Sequence, residues 1–445
     1  MTDYQTPKGM KDFSGREMER RRAMMQAIES VYRKWGYQPL STPALESLQT
    51  LNAKAGATAG AGAEIAGQIF KIADSELGLR FDLTVPLARF AASQSLPKPY
   101  KRYCVAPVWR REEPQKGRLR EFLQADADIL GSPSMRAEAE LLAMAAEALR
   151  ALGIQEFEIL LNNRKILQGI ILKLGLIKNE TAVFRALDKL DKIGREGVRA
   201  ELAQSGVKGE AVVTLLDLLC DDCSGDNALL LQKASEYSTD GAKELEEILS
   251  LLQDGYGLQN VRIDLSLVRG LGYYTGPIFE IKAGGGVGSV SGGGRYDQLL
   301  GLYGQADSAV GISLGIERLL ALQEEKEKDG AGDATTRASP TQVLVVGFDA
   351  DLQPKVLAVA RQLRADGLCV ETDLNDRPMR KQLDYANANA IPFALFVGKK
   401  EVESKRYTLK DLRTGQQKTM PLEEVAEQVI EMADEMREEI TAGAP

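Results

Sequence analysis

Arginines stand at positions 110, 111, 118 and 120 of the stretch KRYCVAPVWRREEPQKGRLREFLQADADILG, around a polar loop that holds Pro114 and Gly117. A guanidinium fixed on a strand offers a planar fork of donors suited to bidentate contact with phosphate. A neighbouring loop rich in Lys and Arg suits the end of a polyanion, while a salt-bridged surface hairpin is the plainer alternative. The chain has no histidine at all. That removes imidazole as general base, as activator of a nucleophile and as zinc ligand. Chemistry must then run on carboxylates, guanidiniums, hydroxyls, backbone dipoles or a bound metal. Cys220 and Cys223 make one C-x-x-C with no second pair, which reads as two unrelated cysteines rather than a metal or redox centre.

The elements that must position these groups follow from periodicity. Met24, Ile28, Val31, Tyr32 and Trp35 recur at helical spacing and stop at Gly36, as an amphipathic helix with a C-terminal glycine does. Residues 55–63 read as a small-residue loop. Segments 79–90, 101–110 and 120–131 read as strands or strand–loop–strand, followed by a helix near 136–152 and a strand at 155–162. From about 165 to 255 the pattern is helical, and strand character returns at 261–267, 277–283 and 287–291 before a helix at about 315–325. Residues 326–340 have the composition of a linker. Beyond it, strands alternate with helices, which indicates an α/β domain. The expected organisation is a mixed α/β body over 1–325 with a helical insertion at 165–255, a linker at 326–340, and an α/β domain at 341–445.

Bulk properties exclude several classes. No apolar run is long enough for a membrane-spanning helix, and the polar start lacks the apolar core of a secretory leader. Four cysteines are no disulfide framework in 445 residues, so a cytoplasmic location is the default expectation. The net charge of −8 does not announce a nucleic-acid partner, but binding depends on local patches. One basic cluster comprises Lys101, Arg102, Arg110, Arg111, Lys116, Arg118 and Arg120, and a looser one lies between Arg377 and Lys410.

Specific motifs go further. VWRREEPQKGRLREF resembles the second signature of class II aminoacyl-tRNA synthetases, AVGISLGIERLL the third, and WGYQPLSTPALE the first. VRGLGYYTGPIFE, SVSGGGRYDQLLG and LRFDLTVPLARF are similar to motifs of the histidyl-tRNA synthetase family, in family order from KGMKDFSG onwards. The resemblance implies an α+β catalytic domain built on an antiparallel sheet and a C-terminal anticodon-binding domain. It implies histidine activation with ATP and Mg²⁺, transfer to the 3′ end of tRNA-His, and a homodimer with Pro43 near its interface.

Carried over residue by residue, the resemblance gives Arg110 the α-phosphate and the amino-acid carboxylate, with Arg269 acting from the opposite side. Glu112 would orient the adenine amino group, Phe122 would stack on the ring, and Arg118 and Arg318 would hold the nucleotide. Asp82, Thr84 and Gln124 would bind the substrate ammonium. Asp128 and Tyr274, with Tyr273 beside them, would meet the two imidazole nitrogens. Gln115 and Lys116 would face the tRNA acceptor end, and no protein metal ligand is implied. Two non-catalytic relatives share the fold and remain open at this point: the regulatory subunit of ATP phosphoribosyltransferase and a sensor of uncharged tRNA.

Overall fold

In the computed structural model, residues 4–57, 66–114, 117–220, 226–268, 273–284, 288–326 and 339–442 are described. Contacts divide the chain into one unit of Met1–Lys11 and Met24–Glu325, and a second of Asp12–Ala23 and Lys326–Pro445.

The first unit is organised by an eight-stranded sheet. Its strands are β1 (Gln38–Pro39), β4 (Tyr100–Trp109), β5 (Glu121–Leu130), β6 (Phe157–Asn163), β7 (Val261–Ile263), β8 (Pro277–Ala283), β9 (Ser289–Arg295) and β10 (Ala309–Gly315). They lie in the order β1-β4-β5-β10-β9-β8-β6-β7. The six central strands pair antiparallel, and only the two edge pairings are parallel. A short antiparallel pair, β2 (Leu45–Ser47) and β3 (Leu77–Leu79), stands apart.

Successive strand residues point to opposite faces, and β5 shows what that does here. Leu123, Ala125, Ala127 and Ile129 enter the main core with α1 (Gly15–Lys34) and α4 (Arg136–Ala151). Phe122, Gln124, Asp126 and Asp128 therefore share the other face. The helical region between β6 and β7 comprises α5 (Arg164–Lys173), α6 (Glu180–Leu187), α7 (Leu190–Gln204), α8 (Glu210–Cys220), α9 (Asn227–Ser235) and α10 (Thr239–Ser250). Gly194 has φ 65° and ψ 178° and kinks α7.

One expectation is corrected. Residues 79–90 are not a strand throughout: β3 ends at Leu79, and a helix, α3, covers Thr84–Ala92. The alternating start, LRFDL, masked the helical spacing of the buried Val85, Ala88 and Ala91. Pro86 fits within the first turn, where a missing N–H costs nothing. The Asp82 carboxylate accepts the Val85 N–H at 3.0 Å and so caps the turn. The expected loop at 55–63 begins inside α2 (Leu48–Ala57), and 58–65 lie outside the described residues.

The second unit has a five-stranded sheet of β11 (Val343–Gly347), β12 (Val370–Thr372), β13 (Phe393–Val397), β14 (Arg406–Asp411) and β15 (Gln417–Pro421), ordered β12-β11-β13-β14-β15. The first three strands are parallel and the last two form an antiparallel hairpin. β11 and β13 are buried along their whole length, as strands covered on both faces are.

Candidate active site

The β4–β5 hairpin and β10 make the floor of the site through their register. Arg102 stands opposite Asp128, Cys104 opposite Asp126, Ala106 opposite Gln124 and Val108 opposite Phe122. Across β5, Gly311 faces Asp128, Ser313 faces Asp126 and Gly315 faces Gln124. A file of polar groups thus runs down one sheet face. A side chain at 311 is impossible without moving Asp128, because a Cβ there would lie 2.0 Å from Asp128 Oδ1. Gly294 on β9 leaves room for the ring of Tyr274, which a Cβ would meet at 3.0 Å.

Asp128 is buried and ion-paired with the equally buried Arg102 at 2.6 Å, and it accepts a hydrogen bond from the Tyr296 hydroxyl. Burial raises its pKa, opposed by the Arg102 guanidinium and the Tyr296 hydroxyl. Asp126 is pushed up to about 7 by burial, against the pull of Arg102 and with a push from Asp128. Its Oδ1 has no hydrogen-bond partner within the protein. Arg102 also donates to Leu83 O at 3.1 Å. The basic cluster expected around the hairpin is therefore partly internal: Arg102 faces inward, and Lys101 pairs with Glu140 at 2.6 Å.

Arg110 follows the end of β4. It donates to Phe81 O at 2.9 Å, reaches Gln124 Oε1 at 3.5 Å, and lies 5.1 Å over the Phe122 ring. Gln124 in turn donates to Ser313 Oγ at 2.7 Å. Glu112 and Arg118 pair with each other across the loop. Arg120 donates to Glu112 O at 2.8 Å, and its own N–H reaches Gly9 O at 2.7 Å, which ties the KGMKDF segment to this loop. Gln115, Lys116 and Arg269 lie outside the described residues.

Asp82 is nearly buried, and its Oδ2 accepts from the buried Lys54 at 2.8 Å. Thr84 opens α3 two residues later. The Lys54 ammonium lies 3.9 Å over the Tyr273 ring, whose centroid is 4.2 Å from that of Tyr274. Arg318 lies in the first turn of α11 (Ile316–Lys326) and donates to Ser289 O on β9. Its neighbour Glu317 is buried and accepts Leu123 N–H at 2.9 Å, locking the helix start to β5.

Of the residues expected from the resemblance, Arg110, Phe122, Gln124 and Asp128 thus meet at one sheet face. Asp82, Tyr273 and Tyr274 are linked to one another through Lys54 and ring contact, whereas Glu112 and Arg118 are seen paired with each other and Arg318 against β9. Sequence reasoning missed Lys54, Arg102, Asp126, Tyr296, Ser313 and Glu317. Asp126 was visible in the alternation of QADAD and Tyr296 in the GGGRYD stretch; Lys54 carries no local signal.

A mainly antiparallel sheet with arginines and carboxylates spaced in this way, and motifs in this order, places the protein among class II aminoacyl-tRNA synthetases. The family model described as Histidyl-tRNA synthetase matches residues 9–319, and that of the Anticodon binding domain residues 342–432. The chain is 40% identical to a histidine–tRNA ligase of Aeropyrum pernix, covering 95% of this chain and 97% of the relative. It is 37% identical to that of Cytophaga hutchinsonii, over 95% and 99%. The crystal structure of histidyl-tRNA synthetase from Nostoc sp. PCC 7120 superposes with a TM-score of 0.80 at 30% identity, covering 97% of this chain and all of that one. The chain belongs to the histidyl-tRNA synthetase family, and with it to the aminoacyl-tRNA ligases that use ATP. No helix among the described residues is long and apolar enough to cross a membrane.

Proposed function

We propose that the chain is an active histidine–tRNA ligase that forms histidyl-adenylate and passes the histidyl group to the 3′ end of tRNA-His. The observation that carries this reading is the polar file of Gln124, Asp126 and Asp128 on one sheet face, with the Arg110 guanidinium at Gln124 and the Asp82 carboxylate close enough to act on both aspartates. Free histidine presents an ammonium, a carboxylate and a ring with one donor and one acceptor nitrogen. Asp82, Thr84 and Gln124 take the ammonium. Asp128 accepts from the ring N–H, and the Tyr274 hydroxyl, beside Tyr273, donates to the other nitrogen. Arg102 and Tyr296 hold Asp128 in place and leave lone pairs on its carboxylate for the ligand.

Arg110 and Arg269 grip the α-phosphate from opposite sides while the histidine carboxylate attacks in line and pyrophosphate leaves. Positioning and charge stabilisation supply the catalysis, and no general base is needed. Phe122 stacks on adenine, Arg318 flanks the nucleotide, and the Glu112–Arg118 pair opens, giving Glu112 to the adenine amino group and Arg118 to the phosphates. Mg²⁺ bound with the nucleotide would supply further neutralisation of the phosphate charge, with Arg118 and Arg318 holding that nucleotide from the protein side. Gln115 and Lys116 meet the acceptor end of the tRNA. The working form is a cytoplasmic homodimer, with the catalytic domain over 1–325, its insertion at about 165–255, a linker at 326–340 and the anticodon-binding domain over 341–445.

Histidine-dependent exchange of pyrophosphate into ATP tests this proposal. Folded protein that shows no exchange would overturn the enzymatic reading in favour of a non-catalytic relative. Arg269→Ala is expected to abolish exchange while histidine still binds; exchange at close to the wild-type rate would remove Arg269 from its role.

A further inference from the structure

Lys54 is the least expected charge at the site. It sits on α2 with its side chain only 6% exposed, 2.8 Å from Asp82 Oδ2, 3.9 Å over the Tyr273 ring and 5.7 Å from the centre of the Phe81 ring. A carboxylate with aromatic faces around it is a receptor for an ammonium ion. Asp82 Oδ1 is meanwhile committed to the Val85 N–H. Arg110 already brings a positive charge close enough to oppose that of Lys54. A second ammonium on Asp82 Oδ2 would meet like-charge repulsion in a nearly dry site, where charges are screened least.

We infer that Lys54 is a built-in stand-in for the amino group of the substrate: its ammonium fills the Asp82 subsite in the free protein and leaves when histidine enters. This rests on the reading of Asp82 as the ammonium site. The exchange is charge-neutral, since one ammonium replaces another and the buried carboxylate is never left unpaired. It also taxes every ligand that brings an ammonium, because each must first displace the lysine. A ligand that carries the ring but no amino group is not taxed.

The test compares histidine with 3-(imidazol-4-yl)propionate, which lacks the amino group, by calorimetric titration. Lys54→Met is expected to bind histidine at least about fivefold more tightly than the wild type and to leave the propionate unchanged. Equal or weaker histidine binding by this variant would overturn the inference. Asp82→Asn separates the two readings. Weakened histidine binding there, with no tightening in Lys54→Met, removes only the role of Lys54, whereas undiminished binding removes the Asp82 assignment itself. Should Lys54→Met not fold, the wild type still decides. Histidine should increase acetylation of Lys54 by acetic anhydride, followed by peptide mass mapping, while a lysine that stays on Asp82 would remain as protected as before.

Discussion

Asp126 and Asp128 lie two residues apart on the same strand face and share one buried guanidinium, Arg102, in different ways. Arg102 sits against Asp128 at 2.6 Å, whereas Asp126 Oδ1 lacks a hydrogen-bond partner and its carboxyl titrates at about 7. The consequence for stability has a definite sign. A carboxyl whose pKa rises from 3.8 to about 7 on folding binds its proton more tightly in the native state. Its contribution is fully present below pH 3.8, is lost as pH rises towards about 7, and amounts to roughly 4 kcal/mol over that window. Asp126→Asn, which cannot ionise, should remove this slope. Denaturant unfolding of variant and wild type is expected to show the variant gaining relative stability from pH 4 to pH 7; a constant difference would mean that Asp126 does not titrate there. Both carboxyls were legible as polar beats in QADADIL, but Arg102 was not. Its place in a run of basic residues suggested a surface patch, and only the pairing register turns it inward against Asp128.

At the scale of elements, regular alternation was readable and cross-strand partners were not. β4 and β5 were read from the sequence, whereas β10 was not, because AVGISLG carries two glycines and is buried almost throughout; LRFDLTVPLARF mixes a strand ending with a capped helix and was read as strand. Which residues face one another across the sheet depends on register, which no local pattern records. The Gly311–Asp128 juxtaposition is a case in point: the glycine reads as part of a motif, yet its service is to leave space for a carboxylate on the next strand. Gly311→Ala places a methyl 2.0 Å from Asp128 Oδ1 and must push that side chain off Arg102 and Tyr296. Overpacking of this kind costs about 1–3 kcal/mol. Steady-state exchange kinetics should show a rise of at least about tenfold in KM for histidine, one decade being worth about 1.4 kcal/mol, with KM for ATP little changed. Equal rises in both constants would mean that the substitution disturbs the floor as a whole rather than the end that holds Asp128.

Across the whole molecule, the composition itself shapes the chemistry. With no histidine anywhere in the chain, the substrate ring is the one imidazole in the enzyme–histidine complex, and proton traffic near neutrality has few owners. Among the described residues, Asp126 is the group whose pKa is placed at about 7; the free substrate ring titrates at about 6.5. A site in which Asp128 accepts from one ring nitrogen and a tyrosine hydroxyl donates to the other requires the neutral ring, since a protonated imidazole has no acceptor. The dependence of kcat/KM on pH should therefore fall below about pH 6.5, following protonation of free histidine. Replacing histidine with 1,2,4-triazolylalanine, whose ring protonates only in much stronger acid, is expected to carry that limb out of the range. Asp126→Asn should leave the limb in place with histidine as substrate. If the limb stays put when the triazole is used and vanishes in Asp126→Asn, the proton belongs to the protein and the neutral-ring requirement is wrong. A chain that carries its own imidazoles would confound this comparison; this one allows the substrate proton to be followed alone.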